Sequence, residues 1–370
     1  ERTHSGESRM SATSDCQDPL GSRRDEEAFW GRGETPAIPI GLGYMARFAS
    51  GMFGLGLFLR RSAYRAGIKK SVRLDCPVIS VGNLTAGGTG KTPCVAWVTA
   101  LLQEAGARPT VLTRGYRGGD EAALLTRGGV GTSGVPVIVN PDRRAGAKRA
   151  LAEHRANCLV LDDGFQHWQV QRDLDLVLID SSRPFGGGRL LPSGFLREPL
   201  DALSRADHLL LTRCDQVQSG YVDNLRCKLE QRFGLPVAEA CHAPAAVWSL
   251  KNEDVNEVDH LEKRSVWGLA GIGNPEAFRK TLETIGAEVL GIDRFPDHHN
   301  YRQEEIQSVV RHARAAGADF MITTEKDAMR LDPEWFSDMD ILVLGIRFEI
   351  RKGETILRER ILELVQRKLP

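Results

Sequence analysis

A glycine-rich segment that ends in Lys-Thr is the part of this sequence best suited to chemistry. Residues 82–92 read GNLTAGGTGKT, between a short apolar run and a helix-forming stretch. Glycines let backbone N–H groups converge on phosphate oxygens, while a lysine and a threonine at a helix start bind phosphate and Mg²⁺. Thr85 replaces the first glycine of the usual pattern. The segment still predicts a nucleotide-binding phosphate loop (P-loop) that contains Gly87, Gly88, Thr89, Gly90, Lys91 and Thr92.

An acidic pair follows a second apolar run. Asp162 and Asp163 come directly after residues 158–161, which read CLVL. The carboxyl ends of parallel strands form the sheet edge at which ligands bind. A carboxylate at that edge suits an Mg²⁺ ion that Thr92 also contacts. The alternative interpretation is an ordinary Asp-Asp-Gly turn.

The elements that must position these residues alternate along the chain from residue 75 onward. Apolar runs separated by helix-forming stretches predict an α/β fold, with a P-loop-containing parallel sheet covered by helices. The predicted strands are 76–81, 109–113, 158–161, 176–179, 208–212, 265–270, 320–323 and 341–344, and the predicted helices are 91–105, 143–154, 198–206, 275–286, 304–316 and 354–368.

The composition changes along the chain divide it into four parts. We predict a disordered extension over 1–35, an amphipathic membrane-associated segment over 36–74, the P-loop domain over 75–245 and a second, smaller α/β domain over 246–370. The polar stretch around 245–264 marks the junction between the two α/β domains.

The charge balance excludes one class of partner and suggests another. The 370 residues carry 49 Lys+Arg and 49 Asp+Glu with 6% aromatic residues, whereas nucleic-acid-binding domains are basic and often aromatic. We therefore expect no nucleic acid partner. Residues 35–74 hold seven basic residues and no acidic one, so this segment is strongly cationic.

The same cationic segment contains an apolar run of twelve residues without a charge, residues 48–59. Twelve residues are too few to cross a bilayer about 30 Å thick. A helix lying in the interface fits better, with its apolar side in lipid and its basic residues on anionic headgroups. The alternative is an amphipathic helix that packs on the protein's own core.

Six motifs in the same order resemble the tetraacyldisaccharide 4'-kinases of lipid A synthesis. They read VISVGNLTAGGTGKTP (78–93), TRGY (113–116), GDE (119–121), LDDGFQH (161–167), LLPSGFLREP (190–199) and FPDH (295–298). The resemblance implies a two-domain α/β enzyme that moves the γ-phosphate of ATP to the 4'-hydroxyl of a tetraacyldisaccharide 1-phosphate, forming lipid IVA. It also implies a peripheral or monotopic position on the cytoplasmic face of the inner membrane, a glycolipid substrate and no protein partner.

The resemblance assigns roles to particular residues. Asp120 would accept the hydroxyl proton and His298 would orient it, with His299 as the alternative histidine. The Mg²⁺ ligands would be Thr92, Glu121, Asp162 and Asp163, with the order of the acidic pair left open. The residues expected to contact the acceptor or phosphate are Arg114, Tyr116, Arg143, Gln166, His167 and Arg197. Gln166 and His167 have the alternative role of capping a turn, and residues 323–327 (TTEKD) are either near the adenine or a charged turn.

Two other functions compete with this one. A membrane-associated regulatory P-loop NTPase is suggested by residues 211–215, LTRCD, which resemble a guanine-binding motif. A preference for GTP and hydrolysis without a lipid acceptor would favour it. The other competitor is a nucleotide-binding scaffold without transfer activity, which would not need Asp120 or His298.

Overall fold

The computed structural model describes residues 29–30, 42–115, 119–128, 133–252, 255–336 and 338–368. Its strands are β1 (Val78–Asn83), β2 (Pro109–Thr113), β3 (Val137–Val139), β4 (Cys158–Asp162), β5 (Leu174–Asp180), β6 (His208–Thr212), β7 (Val237–Ser249), β8 (Val255–Asn256), β9 (Ser265–Ala270), β10 (Glu288–Arg294), β11 (Phe320–Thr324) and β12 (Ile341–Lys352).

The α-helices cover both faces of these strands. They are α1 (Gly43–Arg65), α2 (Lys91–Glu104), α3 (Asp120–Arg127), α4 (Arg143–Glu153), α5 (Ser219–Phe233), α6 (Pro275–Ile285), α7 (Gln303–Ala315), α8 (Glu325–Ala328) and α9 (Glu354–Lys368). The predicted helix over 198–206 is a shorter 3-10 helix, Leu200–Arg205.

The strands form one twelve-stranded sheet in the order β10-β9-β11-β12-β7-β6-β5-β1-β4-β2-β3, with β8 paired to β7. Every pairing is parallel except β7 with β12 and β7 with β8. The residues of β1, β4, β5 and β6 are all buried, as expected for parallel strands covered on both faces. The predicted α/β fold with a mostly parallel sheet is confirmed.

The two halves of the chain meet along the antiparallel pair β7–β12. The strands after residue 246 extend the same sheet, and the predicted boundary at 245/246 lies inside β7. α2 and α9 lie on one core cluster of this sheet, through residues such as Val95, Val98, Leu357 and Ile361. The carboxyl ends of strands from both halves therefore open toward a common cleft.

Helix α1 presents its apolar side chains to solvent. None of its residues is buried, and Tyr44, Phe48 and Phe58 are 82%, 74% and 64% exposed. Its contacts with the rest of the chain include Ser50 Oγ donating to the Leu190 carbonyl and the Tyr64 ring stacking on Trp168. The apolar side of α1 therefore does not pack on the protein's own core. No helix in the described ranges is long and apolar enough to cross a bilayer.

Only two residues of the predicted extension over 1–35 belong to the described part of the chain. Phe29 and Trp30 are helical and buried. Trp30 packs on Phe185, and Lys228 of α5 lies 3.8 Å from the Phe29 ring centroid.

Candidate active site

The P-loop lies between the carboxyl end of β1 and the start of α2. Gly90 precedes α2 in the left-handed conformation, with φ of 85°. The end of β6 holds the loop from the other side, because Thr212 Oγ1 donates to the Thr89 carbonyl at 3.0 Å and Arg213 donates to the Gly88 carbonyl at 2.8 Å. Residues 85–93 line a cavity of about 840 Å³, which also reaches strands of the second half.

Two basic side chains converge on one acidic residue beside this loop. Lys91 Nζ lies 3.6 Å from Asp163 Oδ1, and Arg197 Nη1 lies 2.6 Å from Asp163 Oδ2. Burial raises the pKa of Asp163, but Lys91 and Arg197 outweigh burial, so the net pKa is below its usual value. Asp163 therefore remains a carboxylate that holds both cations at the cavity wall.

The neighbouring Asp162 is deeply buried and only half satisfied. Its Oδ2 accepts a hydrogen bond from Thr113 Oγ1 at 3.1 Å, whereas Oδ1 has no hydrogen-bond partner among the described residues. Burial raises the pKa of Asp162 to about 6, against the opposing effect of Lys91. An unsatisfied buried carboxylate oxygen at the edge of a nucleotide site is suited to a cation.

The donor set fits Mg²⁺ better than a metal that needs a full protein cage. Thr92, Glu121, Asp162 and Asp163 all line the cavity. Within the described ranges, no group of three or more His, Cys, Asp or Glu side chains is arranged to hold a metal. Mg²⁺ usually takes one or two carboxylates and completes its shell with waters and phosphates.

A carboxylate and an imidazole meet on the opposite side of the cleft. Asp120 is the first residue of α3, and His298 follows β10 with φ of 62°. His298 Nδ1 lies 3.3 Å from Asp120 Oδ2, and Lys326 Nζ lies 3.1 Å from His298 Nε2. Since an ammonium only donates, Nε2 accepts from Lys326 and Nδ1–H donates to Asp120.

The alternative histidine faces elsewhere. His299 Nε2 lies 3.0 Å from Glu305 Oε2, and its ring packs on Phe295 and Tyr301. The structure therefore brings His298, and not His299, to Asp120.

The remaining predicted site residues divide by location. Arg114 lines the cavity. Gln166 Nε2 donates to the Asn83 carbonyl, and Arg143 is buried and donates to the carbonyls of Asn140 and Asp162, so both support the site's backbone. His167 is buried, and its pKa is lowered to about 4. Burial is the largest cause, and the positive charges of Arg143 and Arg114 add to it. Tyr116 lies outside the described residues.

Two residues of this site went unrecognised in the sequence, and both follow β11. Lys326 contacts His298 and donates to Asp297 Oδ1 at 2.9 Å. Arg330 Nε lies 3.2 Å from Asp120 Oδ2. The available signal was the TTEKD segment (323–327) at a strand end, which contains Lys326 and ends three positions before Arg330.

A mostly parallel α/β sheet carries a P-loop after its first strand, and one cavity joins that loop to His298, the imidazole partner of Asp120. This is the arrangement of a P-loop phosphotransferase. The family model described as tetraacyldisaccharide-1-P 4'-kinase matches residues 44–366. The chain therefore belongs to the tetraacyldisaccharide 4'-kinase family.

Individual relatives agree with this assignment. A protein of Anaeromyxobacter sp. (strain Fw109-5) named tetraacyldisaccharide 4'-kinase is 38% identical over 355 residues, which cover 90% of this chain and 94% of that one. A protein of the same name from Syntrophus aciditrophicus is 37% identical over 85% of this chain and 91% of that one. The crystal structure of the Aquifex aeolicus enzyme LpxK in complex with ATP is similar with a TM-score of 0.67 and 27% identity, covering 88% of this chain and 99% of that one.

Proposed function

We propose that this protein transfers the γ-phosphoryl group of ATP to the 4'-hydroxyl of a tetraacyldisaccharide 1-phosphate and so forms lipid IVA in lipid A biosynthesis. The observation that carries the proposal is the cavity lined by both the P-loop and His298, whose Nδ1 lies 3.3 Å from Asp120 Oδ2. Phosphoryl transfer needs neutralisation of charge at one side and an acceptor for the hydroxyl proton at the other. Family membership supplies the substrate class.

The donor side of the reaction belongs to the P-loop. The residues 87–92 bind the phosphates through backbone N–H groups, and Lys91 reaches the β- and γ-phosphates. Arg197, which lies beside Lys91 on Asp163, provides a second cation for the γ-phosphoryl group. A guanidinium fits a phosphoryl group through two parallel hydrogen bonds.

Thr92, Glu121, Asp162 and Asp163 would hold Mg²⁺ together with the phosphates. When bound, the ion would neutralise charge on the β- and γ-phosphate oxygens. Asp162 is the preferred direct ligand in this proposal. The Oδ1 atoms of Asp162 and Asp163 both lack a hydrogen-bond partner in the described part of the chain, but Asp163 is ion-paired with Lys91 and Arg197.

The acceptor side belongs to Asp120. Asp120 accepts the proton of the 4'-hydroxyl as that oxygen attacks the γ-phosphorus, the bond from the γ-phosphorus to the β–γ bridging oxygen breaks and ADP leaves. His298 orients the carboxylate through Nδ1–H. We assign acceptor or phosphate contacts to Arg114, which lines the cavity. The contacts predicted for Tyr116, Arg143, Gln166 and His167 stay predictions.

The membrane provides the lipid acceptor, and α1 is the proposed attachment surface. Its exposed apolar side chains precede a basic stretch that includes Arg60, Arg61 and Arg65. An amphipathic helix of this type lies in the interface, with its basic residues on anionic headgroups. We therefore place the protein peripherally or monotopically on the cytoplasmic face of the inner membrane, without a protein partner.

Kinase assays on substituted proteins test the mechanism. Asp120→Ala and His298→Ala each lower turnover with ATP and a tetraacyldisaccharide 1-phosphate in detergent, because a positioned general base contributes about 10²- to 10⁴-fold. His299→Ala is the matched control and keeps most of the activity, since that side chain pairs with Glu305. Thermal unfolding checks that each variant is folded. Near-wild-type turnover of both Asp120→Ala and His298→Ala contradicts the mechanism.

The regulatory NTPase, the alternative function, is not favoured, and its motif has another explanation. Thr212 and Arg213 of the LTRCD segment donate to P-loop carbonyls. These contacts account for both residues without a guanine base.

A further inference from the structure

The guanidinium of Arg330 contacts three groups at once. Nε lies 3.2 Å from Asp120 Oδ2, as an ion pair rather than an aligned hydrogen bond. Nη1 donates to the His299 carbonyl at 2.7 Å, and Nη2 donates to Asp327 Oδ1 at 2.7 Å. The Arg330 side chain is only 9% exposed, so water does not substitute readily for any of these partners.

Asp327 fixes the orientation of this guanidinium. It is fully buried, and beyond Arg330 it accepts hydrogen bonds from Tyr301 Oη at 3.0 Å, from the Gly271 N–H at 3.1 Å and from Thr324 Oγ1 at 2.8 Å. Gly271 follows β9 and Thr324 ends β11. Arg330 is therefore anchored to the ends of two neighbouring strands in the second half of the chain.

The partners of Arg330 come from both halves of the chain. Asp120 belongs to the P-loop half, whereas the His299 carbonyl belongs to the loop that carries His298. One rigid planar group thus sets both the position of the Asp120 carboxylate and the position of the histidine loop. A lysine at this position would keep the charge but not the three donor directions.

We propose that Arg330 is a positioning residue for phosphoryl transfer, which holds Asp120 and the His298 loop in register. The inference rests on the proposed function, in which Asp120 is the proton acceptor. Arg330 touches neither nucleotide nor acceptor in this scheme; it acts through the carboxylate and the loop. Its removal should therefore affect the rate of the chemical step more than nucleotide binding.

Steady-state kinetics of the full-length protein test this role. Arg330→Lys lowers kcat by about 100-fold, because a misplacement of about 1 Å at a reacting group costs that much, while KM for ATP changes less than about twofold. Arg302→Lys is the matched control, since Arg302 forms an exposed ion pair with Glu305 in the same half. Arg330→Ala loses activity in the same way and regains part of it with added ethylguanidinium but not with ethylammonium. Wild-type kcat in Arg330→Lys, or equal rescue by both cations, overturns the proposal.

A double-mutant cycle separates positioning from general stabilisation. If Arg330 acts through Asp120, then Asp120→Asn with Arg330→Lys is no less active than Asp120→Asn alone. Fully additive losses, accompanied by a matching drop in thermal stability, would assign Arg330 a purely structural role and overturn the inference. Normal activity of Asp120→Asn would instead reject the proposed mechanism. An inactive Asp120→Asn beside a fully active Arg330→Lys rejects only the role of Arg330.

Discussion

Gly90 is the residue at which the P-loop turns into α2, and its backbone leaves no room for a side chain. Its φ of 85° lies in the left-handed region, and a Cβ atom there would lie 2.5 Å from His242 Nε2. Gly90→Ala is therefore expected to cost about 1–3 kcal/mol of stability and to raise KM for ATP, because the loop must move away from its phosphate-binding shape. Urea unfolding and steady-state kinetics measure the two effects.

Gly106→Ala serves as the control for backbone strain. Gly106 has φ of 78°, but a Cβ atom there meets nothing within 4 Å. It should therefore show the loss of stability without the change in KM. Adding His242→Ala to Gly90→Ala should recover the part of the lost stability that comes from the clash with His242. Equal KM values for Gly90→Ala and wild type would contradict this account of the loop.

Single residues differ in how far the sequence could predict them. The P-loop residues are recognisable in the sequence because the glycines, the lysine and the threonine lie together in residues 87–92. Asp120 and His298 lie 178 positions apart, so only the family resemblance could pair them. Arg330 is one of 49 basic residues and lies just after the TTEKD segment, which does not by itself indicate a role for it. Its contacts depend on the buried Asp327, which in the sequence is one more charge in a polar turn.

Helix α1 is the element whose surface makes the sharpest prediction. Phe48→Ser combined with Phe58→Ser should weaken binding to vesicles that contain anionic lipid, because both rings are exposed and would otherwise bury apolar area in the bilayer. Thermal stability should stay unchanged, since neither ring packs on the core. Vesicle co-flotation measures the binding.

Val255→Ser is the control for this experiment. Val255 lies in β8 and is also highly exposed, but it is far from α1 in sequence and outside the cationic segment. It should leave vesicle binding intact. If the double α1 variant floats with vesicles as well as wild type does, α1 is not the attachment surface.

The join between the two halves shows where element prediction from sequence fails. The start of helix α2 is clear because Lys91 directly follows the glycines, whereas the strand predicted over 76–81 is shifted to Val78–Asn83. β7 instead contains Pro244, which cannot donate to a strand ladder and therefore favours a linker. The structure accommodates Pro244 at a register shift between Gly345 and Ile346 of β12, and the strand continues to Ser249. Long-range antiparallel pairing of this kind leaves no local pattern.

The whole molecule should lose stability in mild acid, in part through His208. This residue begins β6, is 2% exposed, and its Nε2 has no hydrogen-bond partner among the described residues. Burial, followed by the charge of Arg360, lowers its pKa to about 4 from 6.5. Between about pH 6.5 and pH 4, His208 is therefore protonated in the unfolded chain but neutral in the folded chain. The free energy of unfolding falls as the pH drops through this range.

Replacing His208 with Asn should remove this part of the pH dependence. Between pH 7.5 and pH 5 the free energy of unfolding should fall by about 2 kcal/mol less in His208→Asn than in wild type. Urea unfolding at the two pH values measures the difference. His154→Asn, at an exposed position, should behave like wild type. An identical pH dependence in His208→Asn and wild type would show that His208 titrates normally in the folded protein.

At the scale of the molecule the charges balance at 49 to 49, yet the cationic residues of segment 35–74 adjoin the apolar surface of α1. The protein thus combines a cavity between its two halves with an exposed apolar and cationic surface, and the proposed acceptor is a lipid. The central claim is therefore lipid-dependent phosphoryl transfer.

The most direct measurement of that claim supplies γ-labelled ATP and a tetraacyldisaccharide 1-phosphate in detergent and follows the label into the lipid. We expect one labelled phosphate per acceptor, located at the 4' carbon by NMR, with ATP consumption that depends on the acceptor. Nucleotide hydrolysis that proceeds equally well without the acceptor, with no label in the lipid, would contradict it.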